Sequence, residues 1–75
     1  MINVAYDNPA DSEKIRMAFK RSGLTQREIA QQMGLTDQAI HAYVTGFRKP
    51  AAGNLFKLAK VLGVDVRDLM RDGAA

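Results

Sequence analysis

Apolar residues along most of the chain recur every three or four positions, which is the spacing of a helix with one buried face. Glycines and capping residues separate the stretches, so the pattern predicts a compact all-α domain of five helices. These span residues 9–22, 26–33, 37–44, 52–62 and 66–71. Alternating apolar residues from Ile2 to Tyr6 predict a short extended arm over residues 1–8. Residues 72–75 form a tail, and no repeat or linker divides residues 9–71.

The second and third predicted helices are joined by a short turn. Thr25 can cap the first of them, and Glu28, three residues later, completes the reciprocal capping pattern. Gly34 can adopt the left-handed conformation that ends a helix, and Thr36 can cap the next one. Two helices joined in this way can present the second one to the major groove of DNA. The pattern therefore predicts a helix-turn-helix.

Charge is unevenly distributed along the chain. The formal net charge is +3, but residues 24–47 carry −1 and residues 48–63 carry +4. The four cations of the second stretch are Arg48, Lys49, Lys57 and Lys60, and no acid lies among them. A basic stretch directly after the helix-turn-helix is well placed for the phosphates of a bound DNA duplex.

Several other classes of protein are disfavoured by the sequence. The 75 residues contain no cysteine, so disulfides and thiolate metal sites are excluded. The single histidine, His41, has no partner at ligand spacing, and no constellation for catalysis is present, so we expect no metal, no cofactor and no enzyme activity. No apolar run approaches the roughly 18 residues of a membrane span. The first residues lack the pattern of a signal peptide, which predicts a cytoplasmic protein.

Four positions in the helix-turn-helix resemble a known family. Ala30, Gly34, Ile40 and Tyr43 match, in type and spacing, the lambda-repressor-like proteins, which include the phage repressors, Cro and many small bacterial regulators of the Cro/C1 or XRE type. Flanking residues match as well, so that the resemblance runs from about residue 12 to 71. It implies a DNA-binding domain in which the helix 37–44 is the recognition helix.

The resemblance also implies which residues contact the DNA backbone. Family members place a glutamine at the start of the second helix on a phosphate, and Gln26 stands there in this chain. Arg48 and Lys49 resemble a second phosphate clamp in the loop after the recognition helix. Thr36 and Arg27 complete the predicted phosphate contacts. Gln26 could instead be an ordinary exposed helix residue, and Arg48 with Lys49 could be a solvated basic loop.

Base reading should fall to the outward residues of the recognition helix, namely Asp37, Gln38, Ala39, His41 and Ala42. Gln38 can pair with adenine, and the Ala42 methyl can touch a thymine methyl. His41 can donate to guanine, although a surface histidine without a function is an equal alternative. Asp37 lies in the first turn, where it is either a capping acid or a reader of cytosine.

The sequence departs from the family in ways that affect affinity. No Arg or Lys occurs between Thr36 and Gly46, and Ala51 stands where relatives often have a serine cap or a basic residue. We therefore expect weak binding by one subunit and a homodimer on a palindromic operator with half-sites about 34 Å apart. The predicted dimer interface comprises Val64, Val66, Leu69 and Met70. These residues could instead complete the monomer core, and the arm is a second candidate interface element.

These features together predict a sequence-specific regulator of transcription, of phage or bacterial type, that acts as a repressor on double-stranded DNA. Two alternatives remain open. The first is an antitoxin, which would bind a toxin protein as well as DNA. The second is a helix-turn-helix domain that binds another protein in place of DNA, which the lack of arginine in the reading helix would suit.

Overall fold

The computed structural model describes residues 8–73, which form four α-helices followed by a 3₁₀ turn. The helices are α1 (Ser12–Ser22), α2 (Gln26–Met33), α3 (Asp37–Thr45) and α4 (Ala52–Leu62), and the 3₁₀ turn is Val66–Leu69. The predicted all-helical class is confirmed for the described residues. The prediction of five helices is wrong, because only four α-helices form there. Residues 1–7 of the predicted arm lie outside the described residues.

Helix α1 begins at Ser12, three residues later than predicted. Ala10 is extended, because it pairs with Met70 in an isolated antiparallel bridge. Asp11 is the N-cap, and its carboxylate accepts hydrogen bonds from the backbone amides of Glu13 and Lys14. Because Ala10 is committed to the bridge, the helix cannot extend back to residue 9.

The fifth predicted helix is the short 3₁₀ turn. Asp65 caps it, since its side chain accepts a hydrogen bond from the Arg67 amide at 2.8 Å. Met70 has φ −111° and ψ 153°, so the chain leaves the turn in an extended conformation. The amide of Asp11 donates to the carbonyl of Leu69 at 2.9 Å. These contacts tie the segment after α4 to the start of α1.

One apolar face of each helix supplies the core. Helix α3 packs against α1 and α2, and α2 also packs against α4. The buried apolar residues are Ala10, Ile15, Ala18, Phe19, Ile29, Ala30, Met33, Ile40, Tyr43, Leu55, Leu58, Ala59 and Leu69. Since α3 is packed on two other helices, its opposite face is held at the surface in a defined orientation.

The turn between α2 and α3 depends on Gly34. Its φ of +70° lies in the left-handed region, where a side chain would strain the backbone. The next amide, that of Leu35, donates to the carbonyl of Ala30 at 2.9 Å and closes the end of α2. Leu35 is half-buried against the core and helps to hold the turn. The geometry is that of a helix-turn-helix, as predicted.

Candidate nucleic-acid interface

Helix α3 is held in place by its cap and its inner face. The Thr36 hydroxyl accepts a hydrogen bond from the Ala39 amide at 3.1 Å, which caps the helix. Ile40 is fully buried and Tyr43 is buried beside it. Asn54 of α4 donates to the Tyr43 hydroxyl oxygen at 3.2 Å, so α3 is also linked to α4.

The outward side of α3 borders a shallow groove of about 530 Å³. Gln38 and His41 are exposed there, while Ala39 and Ala42 are half-buried. We call these four residues the reading face. The groove is lined by Thr36, Gln38, Ala39, His41, Ala42, Thr45, Phe47 and Arg48. Four of the five predicted base-reading residues are therefore brought together on one surface, and Asp37 does not line it.

Asp37 instead faces the start of α2. Its carboxylate accepts a hydrogen bond from Arg27 Nε at 3.3 Å, and the two side chains are 53% and 75% exposed. The pair joins the first turns of the two helices of the motif. Arg27, which the sequence assigned to a phosphate, has a carboxylate partner in this structure. The Thr36 hydroxyl, and not the Asp37 carboxylate, accepts the cap hydrogen bond of α3, so the interpretation of Asp37 as a capping side chain is not supported.

The loop after α3 is anchored at several points. The Arg48 amide donates to the Ala42 carbonyl at 3.2 Å, and the Phe47 amide donates to the Thr45 hydroxyl at 3.4 Å. Pro50 is fully buried, and its carbonyl accepts a hydrogen bond from Asn8 Nδ2 at 3.0 Å. Backbone anchors on both sides therefore hold the loop, in which the exposed Arg48 lines the groove and the exposed Lys49 follows it in the chain.

Gln26 is the first residue of α2 and is half-buried. It follows the predicted capping box, which is complete: the Thr25 hydroxyl accepts from the Glu28 amide at 3.1 Å, and the Glu28 carboxylate accepts from the Thr25 amide at 2.8 Å. The start of α2 is thus well defined. It presents Gln26 at the N-terminal end of the helix, where the helix dipole favours an anion.

Phe47 is a surface feature that the sequence reasoning missed. Its side chain is 83% exposed, although it lines the groove together with the reading face. A signal was available, since a phenylalanine between Gly46 and Arg48 follows the end of a helix and fits no helical apolar stripe. The aromatic ring adds a large apolar surface to a site that was predicted to read bases mainly through polar groups.

The predicted dimer residues divide into two groups. Leu69 is fully buried within the chain, so its assignment to an interface is wrong, because none of its surface is left for a partner. Val64, Val66 and Met70 are half-buried against the core. Val66 and Met70 also line a small apolar hollow of about 140 Å³ beside Phe56, which is 59% exposed. Phe56 was not among the predicted interface residues.

Two ion pairs near the end of the described chain lie outside the groove. Lys14 Nζ donates to the Asp72 carboxylate at 2.6 Å, which lowers the pKa of Asp72 and raises that of Lys14. Hydrogen bonds from Arg67 lower the pKa of Asp65. These cations therefore have carboxylate partners of their own, whereas the exposed loop cations Arg48 and Lys49 form no ion pair with any residue from 8 to 73.

The described residues contain neither a metal-binding cluster nor a membrane-spanning helix. Within residues 8–73 no group of three or more acidic, histidine or cysteine side chains could hold a metal ion. In the same part of the chain, no helix has the length and apolar character needed to cross a membrane.

Comparison with known proteins identifies the family. The model of a helix-turn-helix family matches residues 15–69, which cover α2, α3 and α4, most of α1 and the 3₁₀ turn. The chain belongs to the helix-turn-helix family of Cro/C1 type. The predicted resemblance is confirmed, and the helix-turn-helix proteins of this family are DNA-binding regulators.

One of two relatives of this helix-turn-helix protein is itself named as a helix-turn-helix regulator. It is 32% identical over 60 residues to the uncharacterized HTH-type transcriptional regulator YqaE of Bacillus subtilis, over 80% of this chain and 52% of YqaE. It also matches a replication factor C small subunit of Thermococcus kodakarensis, with 33% identity over 55 residues, 73% of this chain and 6% of that protein. The chain thus spans about half or less of these relatives.

Solved structures of similar fold include two bacterial regulators. The SOS-response transcriptional repressor LexA of Eubacterium rectale has 29% identity and a TM-score of 0.74, over 83% of this chain and 66% of that chain. The restriction-modification controller protein C.AhdI of Aeromonas hydrophila has 27% identity and a TM-score of 0.72, over 79% of this chain and 89% of that chain.

Proposed function

We propose that this protein is a transcriptional regulator that binds double-stranded DNA in a sequence-specific manner. The observation that carries the proposal is the combination of an exposed reading face on α3 with the exposed cations Arg48 and Lys49 in an anchored loop at its end. An α-helix fits the major groove, and base edges there carry a distinct pattern for each base pair. In this arrangement α3 enters the major groove of the DNA, while the loop after it contacts the DNA backbone.

The DNA contacts divide by chemistry. Gln38 pairs with adenine, His41 donates to guanine, and the methyl groups of Ala39 and Ala42 face apolar parts of the base edges. Backbone contacts come from Gln26 and Thr36 at the starts of α2 and α3 and from Arg48 and Lys49 in the loop. Arg27 joins these contacts only when it leaves Asp37.

The proposed mode of action is repression, in which the protein occupies an operator and so competes with RNA polymerase. The similarity to LexA, whose name describes it as a transcriptional repressor, supports this choice. An antitoxin would bind DNA in the same way and would bind a toxin protein in addition, so DNA binding alone does not separate the two.

We further propose that the protein binds as a homodimer to a palindromic operator. A two-fold symmetric dimer matches half-sites about one helical turn apart. Val66 and Met70, half-buried beside the exposed Phe56, form the apolar patch that a second copy would cover. Two subunits would also double the number of phosphate contacts, which offsets the absence of a cation on the reading face.

Binding of a labelled random DNA pool, measured at about 50 and 200 mM salt, tests the proposed function. Release of counterions from several phosphate contacts should weaken binding by orders of magnitude over this range. Selection from the same pool should enrich a palindrome. Absence of binding at both salt concentrations would reject the regulator and favour the protein-binding alternative.

Sedimentation at micromolar concentration tests the dimer. Phe56→Asp should convert a dimer to a monomer, because a charge would lie in the apolar patch. Met17→Asp is the matched control, since Met17 is 46% exposed on α1 and does not line that hollow. A wild-type monomer, or a dimer unaffected by Phe56→Asp, would contradict the proposed interface.

A further inference from the structure

Phe47 is the most exposed of the large apolar side chains in the described part of the chain. It is 83% exposed, against 59% for Phe56 and 46% for Met17. Phenylalanine is usually buried, and moving its side chain from water into a fully buried site favours burial by roughly 10- to 100-fold in an equilibrium constant. An exposed ring on an anchored loop therefore offers a surface that a bound molecule can cover.

The backbone around Phe47 is held on both sides. Its own amide donates to the Thr45 hydroxyl, and the next amide, that of Arg48, donates to the Ala42 carbonyl. Gly46 has φ +84°, and a Cβ built there would lie 3.4 Å from Ser12 in α1. The loop therefore lies close to α1. The Phe47 ring lies at the edge of the groove and is not packed into the core.

The neighbours of Phe47 indicate what would cover it. Ala39 and Ala42 line the same groove, so this surface combines an aromatic ring with methyl groups. Arg48 and Lys49 follow directly in the chain, and both are exposed cations suited to phosphates. A ligand that matches both the apolar surface and the cations is DNA that carries an apolar group on the edge of a base. In the major groove that group is the 5-methyl of thymine.

We propose that Phe47 contacts a thymine 5-methyl group in each operator half-site and is a specificity-determining residue. The inference rests on the proposed function, because it requires α3 to lie in the major groove. It adds an apolar reader outside α3 to the predicted readers within it. It also implies that each half-site contains a thymine at the position facing the end of α3.

A double-mutant cycle between the protein and the DNA tests the inference. The probe is the operator selected from the random pool, in which each thymidine is replaced in turn by deoxyuridine, which lacks only the methyl group. For the wild type, at least one position of each half-site should be sensitive, and a single replacement there should weaken binding about fourfold, the effect of one buried methyl. For Phe47→Ala the same replacement should have no effect, although the variant binds the unmodified operator less tightly.

Controls distinguish the loss of this contact from unfolding and from the loss of a phosphate contact. Phe47→Ala should unfold at the same temperature as the wild type, because the side chain is exposed and makes no core contact. Arg48→Ala should weaken binding to both operators and keep the fourfold difference between them. If Phe47→Ala keeps the discrimination at every thymine where the wild type shows it, or if the wild type is indifferent to every deoxyuridine, the inference is overturned while the regulator is left intact. A wild type that binds no DNA overturns both.

Discussion

Helices α3 and α4 differ at their N-terminal ends and in their charge. Helix α3 is capped by the Thr36 hydroxyl and has an acid, Asp37, in its first turn. Helix α4 begins after Ala51, which provides no side-chain cap, and its first turn has no acid. Between Thr36 and Gly46 there is no Lys or Arg, whereas residues 48–63 contain four cations and no acid.

The comparison shows how recognition and attachment can be carried by different elements. The reading face of α3 offers an amide, an imidazole and methyl groups, which distinguish bases but contribute little attraction to phosphates. The stretch from Arg48 to Lys60 offers cations, which attract any duplex. We therefore expect changes in the basic stretch to alter affinity for all sequences, and changes in the reading face to alter preference among them.

Removing the loop cations should have the largest effect on binding. For Arg48→Ala combined with Lys49→Ala we expect affinity at 50 mM salt to fall about a hundredfold for every sequence, because two phosphate contacts are lost. The slope of log affinity against log salt should become shallower by about two. Arg67→Ala is the control, since it removes one cation that is paired with Asp65 outside the groove. A loss confined to the operator would show that these residues read bases.

Truncating the polar reader should have a smaller and more selective effect. Gln38→Ala should reduce discrimination at one base pair of each half-site by about tenfold, since an amide that pairs with adenine supplies about 1–3 kcal/mol of discrimination. Binding to random DNA should change little. Selection of operators by the variant, beside selection by Arg48→Ala, provides the measurement. If the operators selected by Gln38→Ala and by Arg48→Ala showed the same base preference at every position, the assignment of base reading to α3 and of phosphate contacts to the loop would be contradicted.

Most of the helical framework was predictable from local signals. Thr25 with Glu28, Gly34 and Thr36 fix the ends of α2 and the start of α3 through contacts within a few residues. The ends of the domain were not predictable in this way. The start of α1 and the shortness of the 3₁₀ turn both follow from the bridge between Ala10 and Met70. That pairing joins residues 60 positions apart, so no local pattern reveals it.

The candidate site was predictable in outline but not in its pairings. Helical periodicity placed Gln38 and His41 outward, where the structure has them. It could not show that Arg27 faces Asp37 across the turn, because that contact depends on the angle between α2 and α3. It also could not place Phe47, since a loop residue has no periodicity. Packing between helices decides each of these features.

Neutralising the acid of α3 should make this helix resemble the basic stretch more closely. For Asp37→Asn we expect about threefold to tenfold tighter binding to all sequences at low salt, because a negative charge is removed and Arg27 is released for a phosphate. Arg27→Ala combined with Asp37→Asn should lose most of the gain. If Asp37→Asn weakened binding to the operator alone, Asp37 would be a reader of cytosine, which is the second role that the sequence predicts for it.

Adding a cap to α4 should change stability more than binding. Ala51 has φ −70° and ψ 168°, close to the values of the N-caps Thr25 and Thr36, so a serine hydroxyl at this position can accept from the amides of the first turn. We expect Ala51→Ser to raise the free energy of unfolding by about 1 kcal/mol and the melting temperature by about 4–8 °C. Thr36→Ala should lower both by a similar amount. Because the serine is uncharged, DNA affinity should stay within about twofold of the wild type if the amides at the start of α4 contact no phosphate. A stabilised variant with clearly weaker binding to all sequences would show that the uncapped amides of α4 themselves contact the DNA backbone. Attachment to phosphates would then involve the start of α4 as well as the loop.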